Sequence, residues 1–137
     1  MTKTVNEKTP TINKTRPKFL QLTTLAPKMS ITAKVSIIHR ITGLLLFLAI
    51  PFILYVLDSS LTNIDFYSAL YGIFALPIIK IIYLTIIAAF IYHMCAGVRF
   101  LLLDINIGTN KKTAQLTSKI VILVSILISV LLGALIW

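Results

Sequence analysis

Two short stretches of this 137-residue chain hold polar side chains at spacings that gather them on one face of a helix. In SIIHRITG, residues 36–43, Ser36, His39 and Arg40 stand at i, i+3 and i+4 and share a helical face. A quinone carries two carbonyl oxygens, needs donors at both ends, and takes up protons together with electrons. Ser36 offers a hydroxyl to one such carbonyl, and Arg40 a fixed positive charge that favours reduced, anionic forms. Arginine keeps its charge and is a poor proton donor, so proton delivery would fall to water, His39, Asp104 or a partner's side chain. The same three residues also fit an ordinary helix end, with a hydroxyl cap and cations that snorkel to the headgroups.

The second stretch is HMCAGVRFLLLD, residues 93–104. On a helix, His93 lies roughly 16 Å before the boundary residue Asp104. Against about 30 Å of hydrocarbon, that depth is near the middle of a membrane. A neutral imidazole there needs hydrogen-bond partners or a metal. It either packs against another helix through a polar contact or ligates haem iron, whose porphyrin supplies apolar bulk suited to a bundle interior. Gly97, four residues on, leaves room for a flat macrocycle or for a close helix crossing. Arg99, about 9 Å nearer the boundary, is a partner for haem propionates together with Arg40 and His39, or else a snorkelling anchor. His39, the other histidine, is expected near the basic end of its span. A six-coordinate haem would then need its second ligand from another subunit.

The elements that must carry these residues are legible in the composition. The chain is 58% hydrophobic and 12% charged, where soluble domains are about 45–50% and about 25%. No soluble core of this size hides that much apolar surface, so the expected fold is all-α and membrane-integral, with three transmembrane helices at about 30–57, 70–103 and 118–137. The first starts at Ser30 or Ile37 and contains Pro51, and the second is interrupted near its start by Pro77 and Lys80. The intervening loop carries Asp58, Asn63 and Asp65. Ser125 and Ser129 share a face of the third helix, and Trp137 is placed as an interfacial anchor. Residues 1–28 are expected to form a basic, extended tail.

Charge then orients the spans. Of thirteen basic residues, eight lie in the first forty positions, and Lys111, Lys112 and Lys119 lie between the last two apolar segments. Both regions are therefore expected on the cytoplasmic side, or the matrix side of a mitochondrion, with the Asp58–Asp65 loop opposite. The formal charge of +9 points to a membrane surface, since no compact basic fold for nucleic acid accompanies it. Cys95 stands alone and cannot form an internal disulfide. A cleaved signal is not expected, and the tail is too poor in arginine for a mitochondrial leader. A small transporter would need more polar groups along one channel face than the hydroxyls of the third span.

Taken together, SIIHRITG and HMCAGVRFLLLD resemble the two signatures of the cytochrome b large membrane-anchor subunit of succinate dehydrogenase, respiratory complex II, over nearly the whole chain from Arg16. The resemblance implies one half of a two-subunit haem-binding bundle. His93 would be the axial ligand of haem b, with the second ligand from the small membrane-anchor subunit. His39 and Arg99 would lie by the haem propionates, Ser36 and Arg40 at the ubiquinone site, and Asp104 in that site's water network. The remaining partners implied are the iron–sulfur subunit and the flavoprotein subunit, where succinate is oxidised, within a bacterial inner or mitochondrial inner membrane. A fumarate reductase anchor, or a structural anchor with a degenerate site, are the neighbouring readings. Two positions depart from the pattern. Phe100 stands where members commonly have histidine, and RPKFLQL at 16–22 lacks the serine–proline–histidine stretch of mitochondrial-type members.

Overall fold

Ser30 caps the first described helix, α1 (Ile31–Thr62): its hydroxyl accepts from the Ala33 N–H at 3.4 Å. The computed structural model describes residues 29–137, and the expectations for the tail, including those for Arg16, Pro17 and Lys18–Leu22, lie outside them. Helix α1 runs unbroken through Pro51 and past the expected end at Leu57. Its last turns tolerate hydroxyl residues because these bond back to the helix: Ser60 Oγ donates to Leu57 O, and Thr62 Oγ1 to Asp58 O.

Asn63 closes α1 and opens α2 (Ile64–Ala75), its side chain accepting from the Asp65 and Phe66 N–H groups. The segment expected to hold an acidic loop is thus mostly helical. The second apolar segment is divided at Leu76, which is extended at φ −67° and ψ 131°. A residue before proline is pushed out of the helical region, while proline itself fits the first helical turn. Accordingly Pro77 starts α3 (Pro77–Asp104).

The end of α3 is equally specific. Ile107 N–H bonds Leu102 O at 2.9 Å, and Asn106 N–H bonds Leu103 O at 3.0 Å, with Asn106 at φ 62°. This is the crossed bonding of a Schellman turn, with asparagine in the left-handed position that glycine usually holds. After Gly108, Asn110 caps α4 (Lys111–Ile136) by accepting from the Lys112 N–H. Helix α4 therefore starts well before the apolar run that announces it.

Helix α3 packs against both α1 and α4, and α1 also meets α4. Val35, Ala96 and Val121 form the buried centre, with Tyr92, Cys95, Phe100 and Ile122 around it. Small side chains at these crossings, among them Ala89, Ser118 and Ser125, let the backbones approach closely. Most large apolar side chains face outward, which suits lipid or a partner helix and not water. Helices α1, α3 and α4 are each long and apolar enough to cross a bilayer, whereas α2 is short. At the end of the bundle away from the Schellman turn, Lys80 Nζ donates to Trp137 O at 3.3 Å and lies 5.2 Å from the Trp137 ring centroid. That pairing supplies a partner for the one cation near the start of α3.

The Schellman turn yields a direct check. Asn106→Gly should leave stability equal or slightly higher, and Asn106→Val should lower it by about 1–2 kcal/mol, because a branched residue is strained at positive φ. Thermal unfolding of the detergent-purified protein reads both.

Candidate functional site

The two histidines occupy one level of the bundle. Their rings stack with centroids 4.0 Å apart and planes at 12°. The sequence reading set His39 near the mouth of its span and His93 at mid-depth. They meet because α1 begins at Ile31, so His39 lies more than two turns inside the helix, and α3 runs antiparallel beside it.

Each histidine is followed four residues later by a glycine, His39 by Gly43 and His93 by Gly97. The two pairs interlock. A Cβ on Gly43 would come within 2.9 Å of His93 Cε1, and one on Gly97 within 3.6 Å of His39 Nε2. Each ring thus lies over the glycine of the other helix. Gly43 gives its neighbour no spare room, while Gly97 would make an ordinary contact.

Hydrogen bonding fixes the chemistry of His93. Its Nδ1 lies 3.1 Å from His39 O and 3.3 Å from Thr42 Oγ1. A carbonyl oxygen can only accept, so the proton sits on Nδ1 and donates to it. The consequence is that Nε2 keeps its lone pair and is the ring's acceptor nitrogen. His39 Nε2 is buried with no hydrogen-bond partner among the described residues. Against the His39 ring, at 5.1 Å and 58°, packs Phe100. The aromatic side chain at this departure from the family pattern therefore closes the edge of the histidine pair with an apolar wall.

Arg99 is directed away from that pair. It is only 4% exposed, and it donates from Nε to Thr117 Oγ1 and from Nη2 to Ala114 O, both at 3.1 Å. Its Nη1 is buried without a partner among the described residues. The guanidinium also lies 5.2 Å from the Phe100 ring centroid. Beside it, a cavity of about 330 Å³ between α3 and α4 is lined mainly by apolar side chains such as Leu102, Leu103, Ile107 and Ile120. Tyr92, next to His93, ties α3 to α1 by donating to Val35 O at 3.1 Å.

Ser36 is half-buried and Arg40 exposed, both within a turn of His39 on α1, and Asp104 is exposed as the last residue of α3. Among the described residues no group of three or more histidine, cysteine, aspartate or glutamate side chains could hold a metal ion. Thr42, Gly43, Tyr92 and Thr117 escaped the reading of the sequence. For Gly43 a signal existed, since the histidine–glycine spacing noted at 93–97 recurs at 39–43. The bonds of Tyr92 to a backbone carbonyl and of Thr117 to Arg99 leave no such trace.

Residues 12–132 match the family described as the succinate dehydrogenase/fumarate reductase transmembrane subunit. A Rickettsia bellii protein named succinate dehydrogenase cytochrome b556 subunit is 37% identical over 122 residues, covering 85% of this chain and 86% of its own. The proteins of the same name from Rickettsia felis and Rickettsia conorii are 36% and 34% identical. They cover 66% and 85% of this chain, and 69% and 86% of their own.

The two glycines should differ when substituted. Gly43→Ala forces the His93 ring to move and should cost about 1–3 kcal/mol, the usual penalty of overpacking. Gly97→Ala meets only van der Waals contact, gains up to about 1 kcal/mol of helix propensity, and should be close to neutral. Thermal midpoints of the two purified variants test the pair, and equal loss in both would contradict the interlock.

Proposed function

The chain belongs to the succinate dehydrogenase/fumarate reductase transmembrane-subunit family, and from that membership and the His93 geometry we propose how its residues serve a succinate dehydrogenase. It is the membrane-anchor and cytochrome b subunit, acting where electrons from an iron–sulfur subunit reduce ubiquinone. Succinate is oxidised on the flavoprotein subunit and does not reach this chain.

One observation carries the reading: Nδ1 of His93 donates to the His39 carbonyl, leaving Nε2 as a ready axial ligand for haem b. Bound haem would supply a one-electron redox centre within the apolar bundle. The surrounding residues fit that group. His39 Nε2 and Arg99 Nη1 are buried nitrogens lacking partners among the described residues, and propionate oxygens are the acceptors that suit them. His39 is not suited to be the second axial ligand. Its ring lies flat against that of His93 at 4.0 Å, and would sit beside the ligand without holding the same iron. The chain has only two histidines, so a second histidine ligand would come from the small membrane-anchor subunit.

Ser36 and Arg40 form the ubiquinone end of the site. Ser36 donates to one quinone carbonyl, and exposed Arg40 stabilises charge that builds on the ring during reduction. Asp104, exposed at the end of α3, orders the water that delivers protons. The basic residues at this end support a cytoplasmic orientation, and the bacterial relatives support a bacterial membrane, which in this reading is the inner one. There the iron–sulfur subunit docks, with the flavoprotein subunit beyond it.

A reduced-minus-oxidised optical spectrum of the assembled complex tests the ligand. A b-type signal should be present and should vanish in His93→Ala with the small anchor still bound; a full signal in that variant would refute the assignment. Arg40→Ala removes a charged hydrogen bond of about 1.5–3 kcal/mol, so ubiquinone reduction should fall roughly 10- to 100-fold. Succinate oxidation by an artificial acceptor should persist. Equal loss of both activities would place Arg40 in assembly and not at the quinone.

A further inference from the structure

Thr42 stands one residue before Gly43 and three after His39, on the turn of α1 that faces His93. Its hydroxyl has a single hydrogen, and two carbonyls of the preceding turn receive it: Ile38 O at 3.0 Å and His39 O at 2.9 Å. With the hydrogen engaged there, Oγ1 turns lone pairs toward His93 Nδ1 at 3.3 Å. Nδ1 also reaches His39 O at 3.1 Å. His39 O, Thr42 Oγ1 and His93 Nδ1 therefore close a small triangle, in which one N–H is shared between two acceptors that are themselves bonded. The carbonyl has no proton to give, and the hydroxyl could donate to Nδ1 only by giving up its own bonds to Ile38 O and His39 O.

We propose that Thr42 is a positioning residue for His93: as a second acceptor beside His39 O, it holds the plane of the imidazole and strengthens Nε2 as a donor to haem iron. The inference rests on reading His93 as the haem ligand. An N–H shared with acceptors pushes electron density across the ring toward the opposite nitrogen, and such outer partners typically alter metal affinity about 10- to 100-fold. A stronger donor favours ferric over ferrous iron, so Thr42 lowers the midpoint potential of the haem. Thr42 does not touch quinone or iron in this scheme. It acts through His93 alone.

The test uses the assembled complex carrying Thr42→Val, which keeps the branched shape without the hydroxyl, beside Thr42→Ser, which keeps the hydroxyl. Thr42→Val should retain a b-type spectrum, hold haem about 10- to 100-fold more weakly, shift the low-spin ferric electron paramagnetic resonance signal, and raise the midpoint potential. Thr42→Ser should restore all of these. An unchanged signal and potential in Thr42→Val would overturn the proposal, as would a Thr42→Ser variant equally perturbed. Loss of assembly in both Thr42→Val and Thr42→Ala, with Thr42→Ser intact, would assign the hydroxyl to folding and also overturn it. Failure of the underlying reading is separately visible, as a full haem signal in His93→Ala.

Discussion

Polar groups held among apolar helices have no water to fall back on, and each must find its partner inside the protein. The crossing of α1, α3 and α4 is organised by that demand. His93 and Tyr92 both spend their donors on carbonyls of α1, those of His39 and Val35. Nearly two turns further along α3, Arg99 spends two of its donors on α4. Apolar contact between these helices is no better than contact with lipid tails, so packing alone gives little preference for one arrangement. Side chains that bridge to carbonyls and hydroxyls give a definite register, because sliding a helix by one residue would leave them unpaired.

Against this background, the atoms left unpaired stand out. His39 Nε2 and Arg99 Nη1 are buried and have no partner among the described residues. An unmet buried donor costs about 1–3 kcal/mol or more. Their common neighbour is Phe100, in contact with both the His39 ring and the Arg99 guanidinium. Phe100 itself offers neither nitrogen an acceptor.

Much of the architecture was legible in the sequence, for a physical reason. Long uncharged runs must be helical in a bilayer, so three spans could be read from hydropathy and the positive ends from the lysines. Helix ends were harder. The start of α4 at Lys111 and the extension of α1 to Thr62 depend on caps and hydroxyl back-bonds that carry no hydropathy. Pro77 was visible as an interruption, yet its role as the first residue of a new helix followed only from the geometry of Leu76. At the site, residue identities pointed to His93, while depth counted along separate helices set His39 too far from it. Contact between side chains 54 residues apart in the chain is a property of packing, and spacing within one helix cannot report it.

The bridging contacts also differ in how far apart their residues lie along the chain. Arg99 reaches residues 15 and 18 positions away, whereas the ties of Tyr92 and His93 to α1 span 57 and 54. Closing a short loop costs less entropy than closing a long one. Helices α3 and α4, joined by the Schellman turn and clasped by Arg99, are therefore the pair that can come together first as a hairpin. Helix α1 then docks on a surface that already displays Tyr92 and His93. The histidine pair is in that sense a late feature of the bundle, completed only when α1 takes its place.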